Sequence, residues 1–195
     1  MNSKKKGKIN MKLLEEETYR FPLTMMENNI PMKNIPLLYL FFHEKDDEDD
    51  SSHQQAAIQL VKFANQKKKY PMNTWTKHEQ LHNRIQEYTI NPTLMTARRL
   101  SYEVFFSISR EPKKPFLSNY AYAFFQMSSD YLGKLDHFIR MNDILFPEKK
   151  QLIIYEWNNT WSDYFHDGRQ QRGAFLWTIY DPKRNKFIVI NASIL

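Results

Sequence analysis

The chain has 195 residues, no cysteine and a formal charge of +6, with 42% of its residues hydrophobic and 15% aromatic. The cysteine-free composition excludes disulfides, thiolate zinc sites and cysteine nucleophiles together, and the apolar content is enough for a packed core rather than a disordered chain. Gly7, Gly133, Gly168 and Gly173 are too few and too scattered for a glycine-rich phosphate loop. The P-loop, dinucleotide and nucleophile-elbow patterns are likewise missing.

Residues 1–10 (MNSKKKGKIN) are expected to be a disordered basic tail, since no apolar region follows to make them a secretory signal. No run approaches the 18 apolar residues of a membrane-spanning helix. With no cysteine in the chain, a reducing, cytoplasmic setting is expected. Met11 to Arg20 reads as a short helix, after which Pro22, Pro31 and Pro36 are expected to break the chain into short pieces. Leu37 to Phe42 is an apolar run and reads as a buried strand. The acidic stretch from Glu44 to Asp50 follows and is expected to be a solvated, mobile loop.

Ser51 or Ser52 can cap the next helix, whose stripe is Ala57, Leu60, Val61 and Ala64 and whose end precedes Pro71. Asn73 or Thr74 opens another, running to about Tyr88. Asn91-Pro92 reads as a cap with proline at the first helical position. That helix would carry Leu94, Ala97, Leu100, Val104 and Ile108. A helix from Pro115 to Ser129 is apolar nearly all round and should be the most buried. The next, opened by Ser128 to Asp130, carries Leu132, Leu135, Phe138 and Ile139.

The C-terminal part changes character. QLIIYEW (151–157) reads as a strand, and 174–180 with 186–191 as a hairpin around Asp-Pro-Lys-Arg-Asn. Alternation puts Phe175, Trp177 and Ile179 on one face and Leu176, Thr178 and Tyr180 on the other. Both faces are largely apolar, so the hairpin needs cover on both sides, or on one side plus a partner protein. The expected class is therefore α+β. Residues 11–195 would form a single domain, with a mostly helical middle packed on a small antiparallel C-terminal sheet.

Two constellations carry candidate chemistry. His78-Glu79-Gln80-Leu81-His82 is an H-E-x-x-H. On a helix both imidazoles share a face and can hold one zinc, with Glu79 as the base that activates bound water. These five residues resemble the zincin metallopeptidases. The resemblance implies a zinc-dependent hydrolase with His78, His82 and a third ligand, for which Glu103 on the following predicted helix is the candidate. The same residues also read as packing, with Trp75, His78, His82 and Ile85 in one stripe, and that reading is preferred. The second constellation is the connection from Trp157 to Arg172. It is longer than two strands require, and such loops often carry function. It offers Trp161, Asp163, His166, Asp167, Arg169 and Arg172 for binding, and His166 with Asp163 or Asp167 as an acid–base pair. Its structural alternative is a short helix, Trp161 to Phe165, closed by Gly168. A structural helix with a recognition edge is favoured.

The leading expectation is a non-catalytic, cytoplasmic protein that binds another protein, in the manner of inhibitor and immunity proteins, and needs no cofactor. It rests on separated charge and an aromatic-rich sheet. The alternatives are the zinc hydrolase, with Zn2+ as cofactor, and a basic nucleic-acid binder. The nucleic-acid reading would gather Arg98, Arg99, Lys113 and Lys114 beside Lys67, Lys68 and Lys69. Metal analysis of the purified protein is expected to find no stoichiometric zinc. One tightly held equivalent, supporting a hydrolysis that Glu79→Gln abolishes while keeping the metal, would establish the hydrolase instead.

Overall fold

A computed structural model describes residues 11–32, 35–43, 49–69, 87–108, 118–125, 131–171 and 173–193. The expected basic tail, residues 44–48 of the acidic stretch and residues 73–86 of the helix expected to run to about Tyr88 lie outside these.

The two-sided hairpin is present as β5 (Ala174–Asp181) and β6 (Lys186–Ser193), with Trp177 opposite Ile190 and Ile179 opposite Ile188. Asp181 turns the chain by accepting from the Lys183 N–H at 3.1 Å, and Asn185 closes the turn at φ 49°. Asparagine tolerates this left-handed conformation. The hairpin sits at the centre of a six-stranded antiparallel sheet in the order β1-β2-β6-β5-β4-β3. The added strands are β1 (Lys12–Leu13), β2 (Leu38–His43), β3 (Ala97–Leu100) and β4 (Ile153–Trp157). The class is α+β, as expected. The sheet is wider than the C-terminal segment alone, because β2 comes from the apolar run after Pro36 and β3 from the middle of the chain.

Each sheet face has its own core. Trp177, Ile179, Ile188, Ile190 and Ile154 face one side, packed against α1 (Glu15–Glu27), α3 (Tyr102–Phe105), α4 (Asn119–Phe125) and α5 (Tyr131–Leu145). Leu176, Tyr180, Phe187, Val189, Leu40 and Phe42 face the other side. There they meet Ala56, Ala57, Leu60 and Val61 of α2 (Asp50–Lys69) and a segment through Trp161 and Phe165. The first core is mostly aromatic. The Trp177 ring lies 5.6 Å from Tyr120 and 6.0 Å from Phe105, both edge-on, and Phe105 stacks on Tyr120 at 4.4 Å. The hairpin therefore packs on α4, the described part of the helix expected from Pro115 to Ser129.

Four local expectations are corrected. α1 runs through Pro22 and does not stop at Arg20. Pro22 is exposed, while Thr18, Phe21 and Met25 are buried on the opposite side, so burial holds the helix across the missing N–H. The cap of α2 is Asp49, whose carboxylate accepts from the N–H groups of Ser51 and Ser52 at 2.9 and 3.0 Å. A carboxylate is the better cap because it also meets the positive end of the helix dipole.

The helix expected from Asn91 to Ile108 is instead a 3-10 turn (Pro92–Leu94), then β3, then the single turn of α3. Asn91 caps as expected, accepting from the Thr93 N–H at 3.2 Å. Pairing with β4 wins over helix propensity beyond that turn, with Leu100 against the core and Arg98 bonded across to Glu156. Finally, Gly168 lies inside α6 (His166–Gln171), and the chain reverses at Gly173. Gly173 has φ +96°, and an added Cβ would meet the Phe175 ring at 2.9 Å.

Trp177→Ala is expected to cost about 3–5 kcal/mol, because the ring is wholly buried among aromatics. Chemical denaturation measures this, and an unchanged midpoint would mean that the hairpin is peripheral.

Candidate functional site

The His78, Glu79 and His82 motif lies outside the described residues. Glu103 is described, and stands exposed in the first turn of α3. Hydrogen bonds from its own N–H and from Ser101 hold its carboxyl below the usual carboxylate range. Among the described residues, no group of three His, Asp or Glu side chains could hold a metal ion.

The Trp157–Arg172 connection is a packed cap, tied down at several points. Trp161 is buried, its Nε1–H donating to the Asn158 carbonyl at 2.8 Å and its ring lying 5.2 Å from Phe165. It packs in the core of the second sheet face. Ser162 caps a 3-10 turn over Asp163–Phe165 that runs into α6. Asp163 accepts from the Thr89 N–H at 2.8 Å, and Arg169 donates to the Asn159 carbonyl. Both side chains fasten backbone. His166 is exposed and hydrogen-bonds Gln170 at 3.0 Å, and neither Asp163 nor Asp167 is its partner. The anticipated acid–base pair is not assembled. Asp167 is exposed, and Arg172 lies outside the described residues.

Of the described basic residues, Lys67 and Arg98 lie apart. Lys67 lies 4.9 Å from the Tyr19 ring and 5.4 Å from that of Phe63, beside β1. Arg98 is paired with Glu156 on β3, at the opposite edge of the sheet. Lys113 and Lys114 are outside the described residues.

The most unusual polar cluster was not anticipated. His53, one turn into α2, is 2% exposed and lies on the sheet with its ring centre 4.4 Å from Tyr155 and 4.9 Å from Phe187. Its Nδ1 shares a hydrogen bond with Thr178 Oγ1 at 2.8 Å, and the same oxygen accepts from Trp157 Nε1–H at 2.9 Å. Its Nε2 is buried with no hydrogen-bond partner among the described residues. Burial pushes the His53 pKa down to about 4. The carboxylates of Asp50 and Asp49 oppose that shift, and Arg99 adds to it. Tyr155 donates to Asp50, which raises the Tyr155 pKa. A general base must reach the proton it takes. His53 is sealed from solvent and therefore serves the packing of α2 on the sheet.

The surface feature best suited to recognition is on α1. Thr18, Phe21 and Met25 form its buried stripe, yet Tyr19, Leu23 and Met26 form a second apolar stripe that is 53, 58 and 59% exposed. These are four and three residues apart and share one face. Beside them a cleft of about 300 Å³ opens between α1 and α5, walled by Phe21, Met25, Phe41, Ile144 and Leu145. Its rim carries Glu16, Glu17, Arg20 and Arg184. Arg20 pairs with Glu16 at 3.3 Å, and Lys186 with Glu17 at 2.5 Å. The spacing of this outer stripe was present in the sequence, but Pro22 in its midst hid the helix that displays it.

Compared with known proteins, the sequence matches no family model and no curated relative. No helix among the described residues is long and apolar enough to cross a membrane.

His53 makes stability pH-dependent in a defined window. The unfolded chain takes up a proton near pH 6.5, whereas the folded protein resists it until about pH 4. Stability is therefore expected to fall as the pH drops from 6.5 to 4, by roughly 3 kcal/mol in total. Denaturation midpoints measured across this range check it. The His53→Asn variant should lose this part of the slope, whatever its stability at neutral pH.

Proposed function

We propose that this protein acts by binding another protein and not by catalysis. The observation that carries the reading is the exposed row of Tyr19, Leu23 and Met26 beside an apolar cleft with a charged rim. An apolar centre ringed by polar groups is the anatomy of a recognition surface, and aromatic and methionine side chains are enriched in such centres. The helix fills its own core with Phe21 and Met25, so the outer row is not needed to fill it, and among the described residues Tyr19 meets Lys67 of α2. An inhibitor- or immunity-like role in the cytoplasm, without a cofactor, is part of the proposal. The unassembled acid–base pair on α6 supports it over catalysis by that segment. The separation of Lys67 from Arg98 supports a protein partner over nucleic acid, which binds a continuous basic track.

The test is affinity capture from native extract with three proteins: wild type, Leu23→Asp, and Ile139→Asp on the exposed side of α5. A partner held by wild type and by Ile139→Asp is expected to be lost, at least tenfold in affinity, with Leu23→Asp. All three proteins holding the same partner with equal affinity would remove α1 from the interface.

A further inference from the structure

We propose that the occupant of the outer face of α1 is a second copy of this chain, paired antiparallel about a two-fold axis at Leu23. The proposal rests on the reading of this face as a protein interface and names what covers it. The outer row has the four-then-three spacing of the seam between paired helices, with Tyr19 and Met26 seven residues apart and Leu23 near their midpoint. A two-fold axis at Leu23 sets each Tyr19 against the partner's Met26 and brings the two Leu23 side chains together. Both contacts are favourable, since a thioether packs well on an aromatic ring. Isologous pairing of this kind, one patch meeting itself, is the commonest route to a dimer.

Charge selects this arrangement. Arg20 and Glu27 flank the row on the same side of α1, again seven residues apart, and both are exposed. In antiparallel helices about Leu23, Arg20 of each copy lies beside Glu27 of the other, giving two symmetric ion pairs. In a parallel two-fold pairing the like flanks fall on opposite sides of the seam, so Arg20 and Glu27 would face the partner's Pro22 flank and make no ion pair across it. On the other flank the exposed Pro22 meets its own copy near the axis and extends the apolar contact. The intrachain Arg20–Glu16 pair is exposed on both sides and is a weak competitor. The contact uses a single helix face, so it falls at the small end of interface sizes, and the dimer is expected to dissociate in the micromolar range.

Sedimentation velocity of the full chain, from low to high micromolar, tests this. Wild type is expected to pass from monomer to dimer with concentration, and Leu23→Asp to stay monomeric with an unchanged melting temperature. Arg20→Glu should raise the dissociation constant about tenfold. The double exchange Arg20→Glu with Glu27→Arg should return it to near the wild-type value. A wild type that stays monomeric throughout, a Leu23→Asp protein that dimerises normally, or a double exchange that fails to recover would each overturn the proposal. If wild type is monomeric while Leu23→Asp still loses a captured partner, self-pairing fails and the protein-interface reading stands. If capture is also indifferent to Leu23, both fail.

Discussion

The constraint on which the architecture depends is a hairpin that is apolar on both faces. β5 and β6 cannot leave either side to water, because Trp177, Ile179, Ile188 and Ile190 line one face and Leu176, Tyr180, Phe187 and Val189 the other. Antiparallel sheets commonly cover one face only, and here both are covered. α1, α3, α4 and α5 take the first face, while α2 and the Trp161–Phe165 segment take the second. The flanking strands follow from the same demand. β2 and β4 pair the long edges of the hairpin, and β1 and β3 finish the sheet as short outer strands. Brevity and the exposed arginines of β3 make poor templates for uncontrolled strand addition.

How much of this could be read from the sequence depended on whether the signal was local. Alternation assigned both faces of β5 correctly, and the Leu37–Phe42 run was a strand because only burial on both sides tolerates LYLFF. The stripe of α2 was equally plain. Ala97 to Leu100 was not, because ARRL has no strand preference of its own. It is a strand because β4 presents an edge and Glu156 presents a carboxylate to Arg98. The end of α1 was misread for the opposite reason. A local breaker, Pro22, was outweighed by tertiary burial of Phe21 and Met25.

The candidate sites divide in the same way. Residue types in the Trp157–Arg172 connection suggested chemistry, but Trp161, Asp163 and Arg169 are spent on packing and on backbone hydrogen bonds. Composition cannot distinguish a binding side chain from one that fastens a loop. The His53–Thr178 contact joins residues 125 positions apart, and neither looked unusual alone. Only the hint of a threonine at the centre of an apolar strand was legible. The stripe on α1 was written in the chain as Tyr19, Leu23 and Met26, and needed only the helix to be continuous.

The strand order also has a temporal side. The two central strands follow the other strands in the sequence, and β2, which pairs β1 on one side, finds its inner neighbour in the distant β6, with Leu38 opposite Asn191. A chain emerging from the ribosome therefore makes the covers before the thing they cover. α1, α2 and β2 hold apolar stripes with no sheet to receive them until β5 and β6 are synthesised. Contacts so distant in sequence slow folding, and surfaces waiting for them are open to misassociation. The vulnerable interval lasts until the β5–β6 hairpin is made, which closes both cores at once.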